Sequence, residues 1–255
     1  LSKSSDVTIR PAAGATVTLG EIDLQVANHL HFTGTGGTMS VNGAEVDEFD
    51  TRPGPCSNHL TFDYLTFTTG LSIYPRCAAM AILLDHDNLN NLTNVDGWDG
   101  RLNVQALDEG PSSDQGITIS NSTFNSGCSK GIQIMGGAYG VQVLNNEFAH
   151  LSQSGCDPLH VGGIQIYGGS HTHLKGNYFH DNGDSAGGLS MPGNASSYSL
   201  VEDNVWVCTC IYPWSIQAAA THNSTFVHNT FAGGGGIHFY TEQGYVAAGN
   251  VVRDN

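Results

Sequence analysis

Two groups of side chains in this sequence have the types that chemistry on a bound molecule requires. The first group holds acid and base candidates in two neighbouring segments: Asp157, His160, His180, Asp181 and Asp184. The second group holds polar and aromatic residues that recur in similar short segments: Lys130, Gln133, Gln165, Tyr167, Gln217, His238 and Tyr240. Carboxylates and imidazoles act as general acids and bases, whereas amides and phenols donate and accept hydrogen bonds. Whether the two groups meet depends on the elements that position them.

The positioning elements are repeats. Each repeat has an apolar residue, a polar residue three positions later, and an aromatic or apolar residue two positions after that. The polar column lies at intervals of 24, 31, 27, 25 and 21 residues: Ser122, Asn146, Asn177, Asn204, Asn229 and Asn250. The third column reads Phe124, Phe148, Phe179, Trp206, Phe231 and Val252. A unit this short cannot close a core alone, so its copies must stack on one another.

A second strand recurs between these segments, at 131–134, 163–166, 188–191, 215–218 and 236–239. Its alternation places Ile132 and Ile134 inside and Gln133 outside. Stacked strands lie about 4.8 Å apart, so the Asn amides would bond along the stacking axis and the rings would stack inside. The outward residues would form an exposed ladder: Gln133, Gln165, Ser190, Gln217 and His238. The sequence therefore predicts an all-β fold, a parallel β-helix.

These columns resemble the right-handed parallel β-helix superfamily, which includes pectate lyases, polygalacturonases, alginate-active enzymes and many secreted bacterial proteins. The resemblance covers 114–255 and implies one single-stranded right-handed β-helix domain over 1–255, with coils of about 21–31 residues. Residues 1–113 would hold degenerate coils, for which 62–67 and 81–85 are candidates, and 85–113 would hold a loop. The chain begins without Met and ends within the pattern, so we expect a trimmed fragment of a secreted bacterial protein.

Composition narrows the possible partners. The 8 Lys and Arg face 23 Asp and Glu, a formal charge of −15, which disfavours nucleic acid as a partner. The sequence has no apolar run long enough to span a bilayer, so no membrane insertion is expected. The 6 cysteines fit disulfides in a secreted protein, although the sequence leaves their pairing and the oligomeric state open. The resemblance implies a polysaccharide partner, whose hydroxyls and ring faces suit the amides and aromatic residues of the ladder.

The site is expected where the repeat varies in length. The interval from the polar column to the outward ladder residue reaches 19 residues between Asn146 and Gln165, and that segment carries Asp157 and His160. Loops of variable length on a fixed scaffold commonly carry binding and catalytic groups. Because the loops enter adjacent strands, we expect Asp157, His160 and Asp181 to converge at one end of the Gln ladder.

Three functions remain open on these residues. A polysaccharide lyase would use calcium held by Asp157, Asp181 or Asp184, His160 as the base, and Tyr167 or Tyr240 as the acid. No cofactor other than calcium is suggested. A glycoside hydrolase would use Asp157 and Asp184 as its two carboxylates. The polygalacturonase signatures are missing, and Lys130 and Gly162 stand where an acid would be expected before the Gly-Ile-Gln strand. A non-catalytic carbohydrate-binding or adhesive module is therefore the alternative to an enzyme.

Overall fold

The chain winds through successive coils that stack along one axis. The computed structural model describes residues 5–47, 55–92, 100–106, 113–156, 161–183, 188–193, 196–208, 214–219, 221–242 and 244–255. Each coil contributes strands to sheets in which neighbouring coils pair in parallel, for example Ile132 with Ile164 and Val143 with Leu174. The described residues contain strands, turns and irregular segments but no helix. The predicted parallel β-helix is confirmed.

The coils contribute to two ten-stranded sheets and one four-stranded sheet. Sheet 1 contains the predicted Gly-Ile-Gln strands and their upstream equivalents: Thr16–Leu24, Thr38–Val46, Leu71–Ile73, Gly100–Ala106, Lys130–Gly136, Ile164–Tyr167, Leu189–Met191, Ile216–Ala218 and Ile237–Phe239, with Leu65–Phe67 paired to Thr38–Val46. Sheet 2 contains Val7–Ile9, Asn28–Thr33, Asn58–Asp63, Ile82–Asp85, Ile117–Ser120, Gln142–Leu144, His173–Lys175, Leu200–Glu202, Thr225–Val227 and Val251–Arg253. Sheet 3 contains Glu147–Ala149, Tyr178–Asn182, Val205–Cys208 and Thr230–Ala232.

Two short pairs lie outside the three sheets. Ser196–Ser197 pairs in parallel with Thr221–His222, and Thr241–Glu242 pairs antiparallel with Tyr245–Val246. The antiparallel pair adds residues to the last coil between sheet 1 and sheet 2.

The predicted ring column stacks inside the coils. Centroids of successive rings are 5.0, 4.7, 4.9 and 5.3 Å apart along Phe124, Phe148, Phe179, Trp206 and Phe231. Gly131, Gly163 and Gly188 face this column; a Cβ at Gly163, for example, would lie 2.7 Å from the Phe179 ring. Real Cβ atoms do not approach so closely, so the ring column explains the glycine. The prediction of stacked internal rings is confirmed.

The Asn column forms the predicted amide ladder at a bend between sheets 2 and 3. The backbone N–H of Asn146 donates to Asn177 Oδ1 at 3.0 Å, and that of Asn177 donates to Asn204 Oδ1 at 2.9 Å. The residue before each ladder position adopts a positive φ, 56° at both Asn145 and Asp203. Asn and Asp tolerate this left-handed conformation better than most side chains, so both positions of the bend favour them.

The amide ladder continues from Asn229 to Asn255. The prediction that Asn250 is its next member is wrong. The backbone N–H of Asn229 donates to Asn255 Oδ1 at 2.9 Å, a step of 26 residues. Val252, predicted in the ring column, instead pairs with Phe226 in sheet 2.

A second bend explains the error. Gly249 has a φ of 68° and precedes Asn250, as Gly176 with a φ of 67° precedes Asn177. Gly249 belongs to the bend between sheets 1 and 2, where Asn250 Oδ1 accepts the N–H of Ser224 at 2.9 Å. Two bends with the same local requirement select the same dipeptide, so the dipeptide alone could not tell them apart.

The first half of the chain also forms coils. Asn58–Asp63, Leu65–Phe67 and Ile82–Asp85 are strands, as predicted from 62–67 and 81–85. Gly100–Ala106 is a strand of sheet 1 within the segment 85–113, in which the sequence predicted a loop and no strand. The strand lacks the usual glycine because Arg101 stands at the position that Gly131 occupies in the next coil. The Arg101 side chain is fully buried.

Arg101 is a buried cation that the sequence analysis missed. Its guanidinium donates to the carbonyl oxygens of Leu89, Asn125 and Ser129 at 3.2, 3.0 and 3.4 Å, and also to that of Ser126. Burial lowers the pKa of Arg101 to about 10, which leaves the group charged at neutral pH. These hydrogen bonds satisfy backbone carbonyl groups in the segments that lead from sheet 3 towards sheet 1. The role of Arg101 is therefore structural.

Candidate functional site

The outward ladder of sheet 1 is longer than predicted. Strand register aligns one outward residue from each coil: Asp23, Glu45, Ser72, Asn103, Gln133, Gln165, Ser190, Gln217 and His238. The ladder is acidic at its first two positions, carries amides and hydroxyls in the middle, and ends in an imidazole. The upstream members were missed because their strands lack the Gly-Ile-Gln pattern.

The amides of the ladder do not all face solvent, in contrast to the predicted exposed stripe. Gln133 is only 3% exposed, and its Nε2 donates to Gln165 Oε1 at 3.0 Å. This bond links adjacent coils, so Gln133 stabilises the stack. Gln165 and Gln217 are half-buried and border open space beside the ladder.

A groove opens beside the ladder where Gly162 lacks a side chain. Lys130 and Gly162 occupy equivalent positions, and a Cβ added at Gly162 would have no atom within 4 Å. The cavity has a volume of about 230 Å³. Its described lining consists of Lys130, Gln153, Val161, Gly162, Ile164, Gln165, Gly188, Leu189, Ser190, Trp214, Ser215 and Gln217. The side chain at the position two residues before the first isoleucine of each strand, Lys130 in one coil and none at Gly162 in the next, thus shapes the groove.

One border of the groove is aromatic. Trp214 precedes Ser215 as Lys130 precedes Gly131, and its indole stacks on His238 with centroids 4.2 Å apart. The His238 ring stacks in turn on Tyr240 at 5.2 Å. Trp214 was missed by the sequence analysis, although its place immediately before the strand, equivalent to that of Lys130, was a signal that could have found it.

Tyr240 and Glu242 anchor this aromatic row. The Tyr240 hydroxyl donates to Glu242 Oε2 at 3.3 Å, and the same oxygen accepts the N–H of Gly193 at 3.1 Å. Burial, together with the charge of Glu242, raises the pKa of Tyr240 to about 12. Tyr240 therefore stays protonated at physiological pH, with its proton directed at Glu242.

A second polar cluster lies on the outer face of sheet 3. His180 Nε2 contacts Glu147 Oε1 at 2.9 Å, and His180 Nδ1 contacts Asp181 Oδ2 at 2.8 Å. The His180 ring stacks on Tyr178 at 4.1 Å, and His150 approaches its edge with centroids 6.3 Å apart. We call these five residues the His180 cluster.

Hydrogen bonds between charged groups stabilise the His180 cluster. Burial alone would lower the pKa of His180, but the hydrogen bonds with Asp181 and Glu147 outweigh it and raise that pKa. The hydrogen bond with His180 is the main cause that lowers the pKa of Glu147, and it also lowers the pKa of Asp181. The imidazolium form therefore bridges two carboxylates on neighbouring coils.

Comparison with known proteins places this architecture in a family. The family model described as "Right handed beta helix region" matches residues 111–255, more than half of the chain. The chain belongs to the right-handed β-helix family.

A solved structure is similar to this β-helix protein over most of its length. It is the A-module of the mannuronan C-5 epimerase AlgE6 of Azotobacter vinelandii, at 11% identity, with 95% of this chain and 91% of that one covered and a TM-score of 0.32. No curated protein matches the sequence. The part of the chain that the structure describes holds no helix that could span a membrane.

Two disulfides brace neighbouring coils of the β-helix. Cys56 pairs with Cys77 and Cys128 pairs with Cys156, which resolves part of the pairing that the sequence left open. The Cys128–Cys156 bridge lies two residues before Lys130 on one side, so it holds the chain that enters the groove. The side chain of Cys208 and the whole of Cys210 lie outside the described residues.

The structure locates only part of the predicted acid–base group. Asp157, His160 and Asp184 lie outside the described residues. His180 and Asp181 lie in the sheet 3 strand Tyr178–Asn182, in contact with each other and with Glu147. The predicted convergence of Asp157, His160 and Asp181 at the Gln ladder stays a prediction.

The predicted binding residues are spread around sheet 1. Lys130, Gln165 and Gln217 line the groove, whereas His238 and Tyr240 belong to the aromatic row behind Trp214. Tyr167 is the last residue of its strand and is 38% exposed. Among the described residues, no three His, Cys, Asp or Glu side chains are grouped so as to hold a metal ion. Calcium held by Asp157, Asp181 or Asp184 stays a prediction, because two of these ligands lie outside the described residues.

Proposed function

We propose that this protein acts on a polysaccharide, which it binds in the groove of sheet 1. The observation that carries the proposal is the groove itself, an open site beside the ladder where Gly162 leaves room for a ligand. Gln165, Ser190 and Gln217 present amide and hydroxyl groups to that space. These groups donate and accept hydrogen bonds, as sugar hydroxyls require.

The charge at the groove favours an acidic sugar. Lys130 is buried to 5% exposure and lines the cavity, and it is the charged residue among the described lining residues. An ammonium group in a partly dry site binds a carboxylate more strongly than it would in water. A polysaccharide that carries uronate units is therefore the preferred ligand class, even though the protein as a whole has a formal charge of −15.

Lys130 also favours a lyase over a hydrolase. In β-elimination a base takes the proton beside the uronate carboxylate, the bond to the leaving oxygen breaks, and that oxygen is then protonated. Lys130 would stabilise the charge that develops on the carboxylate, and His160 is the proposed base. Tyr240 is a poor candidate acid because its hydroxyl is directed at Glu242. The hydrolase alternative depends on Asp157 and Asp184 and gains no support from the described lining.

The decisive test is to fill the groove. Oligosaccharides of two to six units from polygalacturonate, polymannuronate and neutral xylan are titrated against the wild-type protein and the Gly162→Leu variant. Gly162 has an ordinary φ and open space around its Cβ, so Leu should abolish binding without loss of stability. Gly20→Leu is the matched control, since Gly20 is equally open and lies in the strand Thr16–Leu24. Equal binding by the wild type and Gly162→Leu would refute the site.

Product analysis separates an enzyme from a binding module. Unsaturated uronate products, detected by their ultraviolet absorbance, would establish the lyase, and binding without products would establish the non-catalytic alternative. Lys130→Gln should weaken binding of the uronate ligands about tenfold, or 1.4 kcal/mol, and leave xylan binding unchanged.

We further propose that the protein is extracellular. Its two disulfides are the supporting observation, because such bonds persist in oxidising compartments. The disulfides can be reduced under non-denaturing conditions and ligand binding measured again. Loss of binding would show that the protein depends on these bonds.

A further inference from the structure

We propose that Asp87 is held as a neutral carboxylic acid in the amide ladder, and that loss of its proton is a pH-sensitive switch that loosens the adjacent coils. Asp87 belongs to the column that continues upstream of Ser122. The backbone N–H of Leu65 donates to Asp87 Oδ1 at 2.9 Å, and that of Asp87 donates to Ser122 Oγ at 2.9 Å. The N–H of Ser122 donates in the same way to Asn146 Oδ1. An aspartate thus stands in a column that later coils fill with asparagine.

The second oxygen of Asp87 takes the place of an amide nitrogen. In Asn204, Nδ2 donates to the carbonyl oxygen of Leu174 at 3.0 Å, and Leu174 is the strand partner of the residue three positions before Asn204. By the same register, the carbonyl that faces Asp87 Oδ2 is that of Phe62. An ionised carboxylate accepts hydrogen bonds but cannot donate one. Only a proton on Oδ2 therefore reproduces the hydrogen bond of the amide.

Burial makes the charged form of Asp87 unfavourable. The residue is 2% exposed, so bulk water does not solvate its carboxyl group. Oδ2 is buried without a hydrogen-bond partner among the described residues. A buried carboxylate that is neither paired nor hydrogen-bonded is strongly destabilising. A proton on Oδ2 removes the charge and at the same time supplies a donor for the Phe62 carbonyl.

The neighbouring carboxylates already have partners of their own. Asp63 and Asp85 lie side by side in sheet 2. Asp63 Oδ2 contacts His31 Nε2 at 3.0 Å, and Asp85 Oδ2 contacts His86 Nδ1 at 2.7 Å. Burial would raise the pKa of Asp85, but hydrogen bonds, that with His86 among them, outweigh it and lower that pKa. Two negative charges therefore stand beside Asp87, and both disfavour a third.

The other titratable groups nearby do not neutralise Asp87. Tyr64 is 50% exposed and stacks on His86 with centroids 4.7 Å apart. Arg101 lies inside the coils, where it donates to the carbonyl oxygen of Leu89 at 3.2 Å. In the part of the chain that the structure describes, no three His, Cys, Asp or Glu side chains are grouped so as to hold a metal ion. A proton is therefore the neutralising group at Asp87.

These surroundings set the direction of the pH dependence. Burial is the main cause that raises the pKa of Asp87 well above its ordinary value, the Leu65 N–H opposes it, and the charges of Asp63 and Asp85 add to it. In the unfolded chain the same carboxyl group ionises near its ordinary pKa of about 3.9. The folded protein thus holds a proton that the unfolded chain has released. Stability should fall as the pH rises from about 3.9 to the folded pKa, and no further loss from this group follows above it.

Asp87→Asn tests the switch, because asparagine is the residue that the ladder uses elsewhere. The unfolding equilibrium constant of the wild type, divided by that of Asp87→Asn, should be smallest in acid and grow by up to about tenfold per pH unit until the folded pKa is reached. Urea denaturation at a series of pH values measures this ratio. Asp23→Asn is the matched control, since Asp23 is exposed and should match the wild type throughout. An Asp87→Asn variant less stable than the wild type at pH 6 would overturn the proposal.

The carboxyl carbon of Asp87 reports its proton directly. In protein labelled with ¹³C-aspartate, one side-chain resonance should show the chemical shift of a protonated acid at pH 6, where ordinary aspartates are ionised. That resonance should be missing from Asp87→Asn. The measurement needs only the wild type to be decisive, because spectra in which every aspartate is ionised at pH 6 would refute the neutral acid even if the variant failed to fold.

Amide exchange locates the loosening. At pH 9 the wild type should exchange faster than Asp87→Asn at Leu65 and Ser122, and equally fast at Asn177 and Asn204, which lie further along the ladder. Equal rates at all four residues would show that Asp87 is not a switch. Calcium distinguishes a proton from a cation: it should leave the Tm of both proteins unchanged, and stabilisation of the wild type alone would make Asp87 a cation ligand and the proposal wrong.

Discussion

The groove of sheet 1 and the His180 cluster of sheet 3 contain similar polar residue types but differ in what those residues face. In the His180 cluster, Glu147 and Asp181 are both within 3 Å of His180, so the charges satisfy one another. In the groove, the missing side chain at Gly162 leaves Gln165, Ser190 and Gln217 beside open space. Reactive residue types therefore identify a site only where the fold also leaves room for a ligand.

The two regions also differ in how the coils are tied together. The Cys128–Cys156 disulfide fixes the chain that enters the groove. The His180 cluster instead links coils by hydrogen bonds that require a protonated imidazole. The disulfide is thus insensitive to mild changes of pH, whereas the His180 cluster responds to them.

The largest expected effect comes from removing the core that both regions share. Phe179 stacks between Phe148 and Trp206 and also faces Gly163 of sheet 1. Phe179→Ala should lower the free energy of unfolding by about 3–5 kcal/mol. Urea denaturation measures this loss. Tyr178→Ala is the control on the exposed side of the same strand and should cost far less; equal losses would show that the ring column contributes nothing special.

The disulfides should separate stability from ligand binding. Each closes a loop, across 28 residues for Cys128–Cys156 and 21 for Cys56–Cys77, and loops of this size stabilise a protein by about 3–4 kcal/mol. Cys128→Ser/Cys156→Ser and Cys56→Ser/Cys77→Ser should therefore be destabilised similarly. Only the first pair of substitutions should also weaken oligosaccharide binding. A similar loss of binding in both variants would mean that the disulfide has no particular relation to the groove.

The smallest effect is the pH dependence of the His180 cluster. Because the pKa of folded His180 is raised, its contribution to stability is full below its unfolded pKa of about 6.5 and is lost as the pH rises through the folded pKa. The lowered pKa values of Glu147 and Asp181 mean that their contribution is lost only in acid. His180→Gln should therefore cost at most about 1 kcal/mol near pH 6 and almost nothing near pH 9.

Denaturation of the wild type and His180→Gln at these two pH values checks the sign, and ligand titration sharpens the comparison. Binding at the groove should be the same for both proteins at pH 6. A marked loss of binding in His180→Gln would instead join the two regions into one site.

The sequence by itself determined the stacked architecture. Asn177, Phe179 and Gly163 each answer a local physical requirement: an amide that bonds along the axis, a ring that stacks, and a glycine that a ring faces. Such requirements recur along the stack, so they produce a periodic sequence pattern. The pattern was misleading at Asn250, where the same dipeptide forms a different bend. It was not visible at Gly100–Ala106, where Arg101 replaces the usual glycine.

The site was decided only by the tertiary structure. Lys130, Gly162 and Trp214 lie at equivalent positions before their strands, but the sequence could not show that Gly162 opens a cavity between the other two. Nor could it show that His180 would pair with Glu147, 33 residues away in the chain. A repeated contact is encoded in every coil. A groove is made where a coil departs from the repeat, and the effect of that departure depends on how the coils stack.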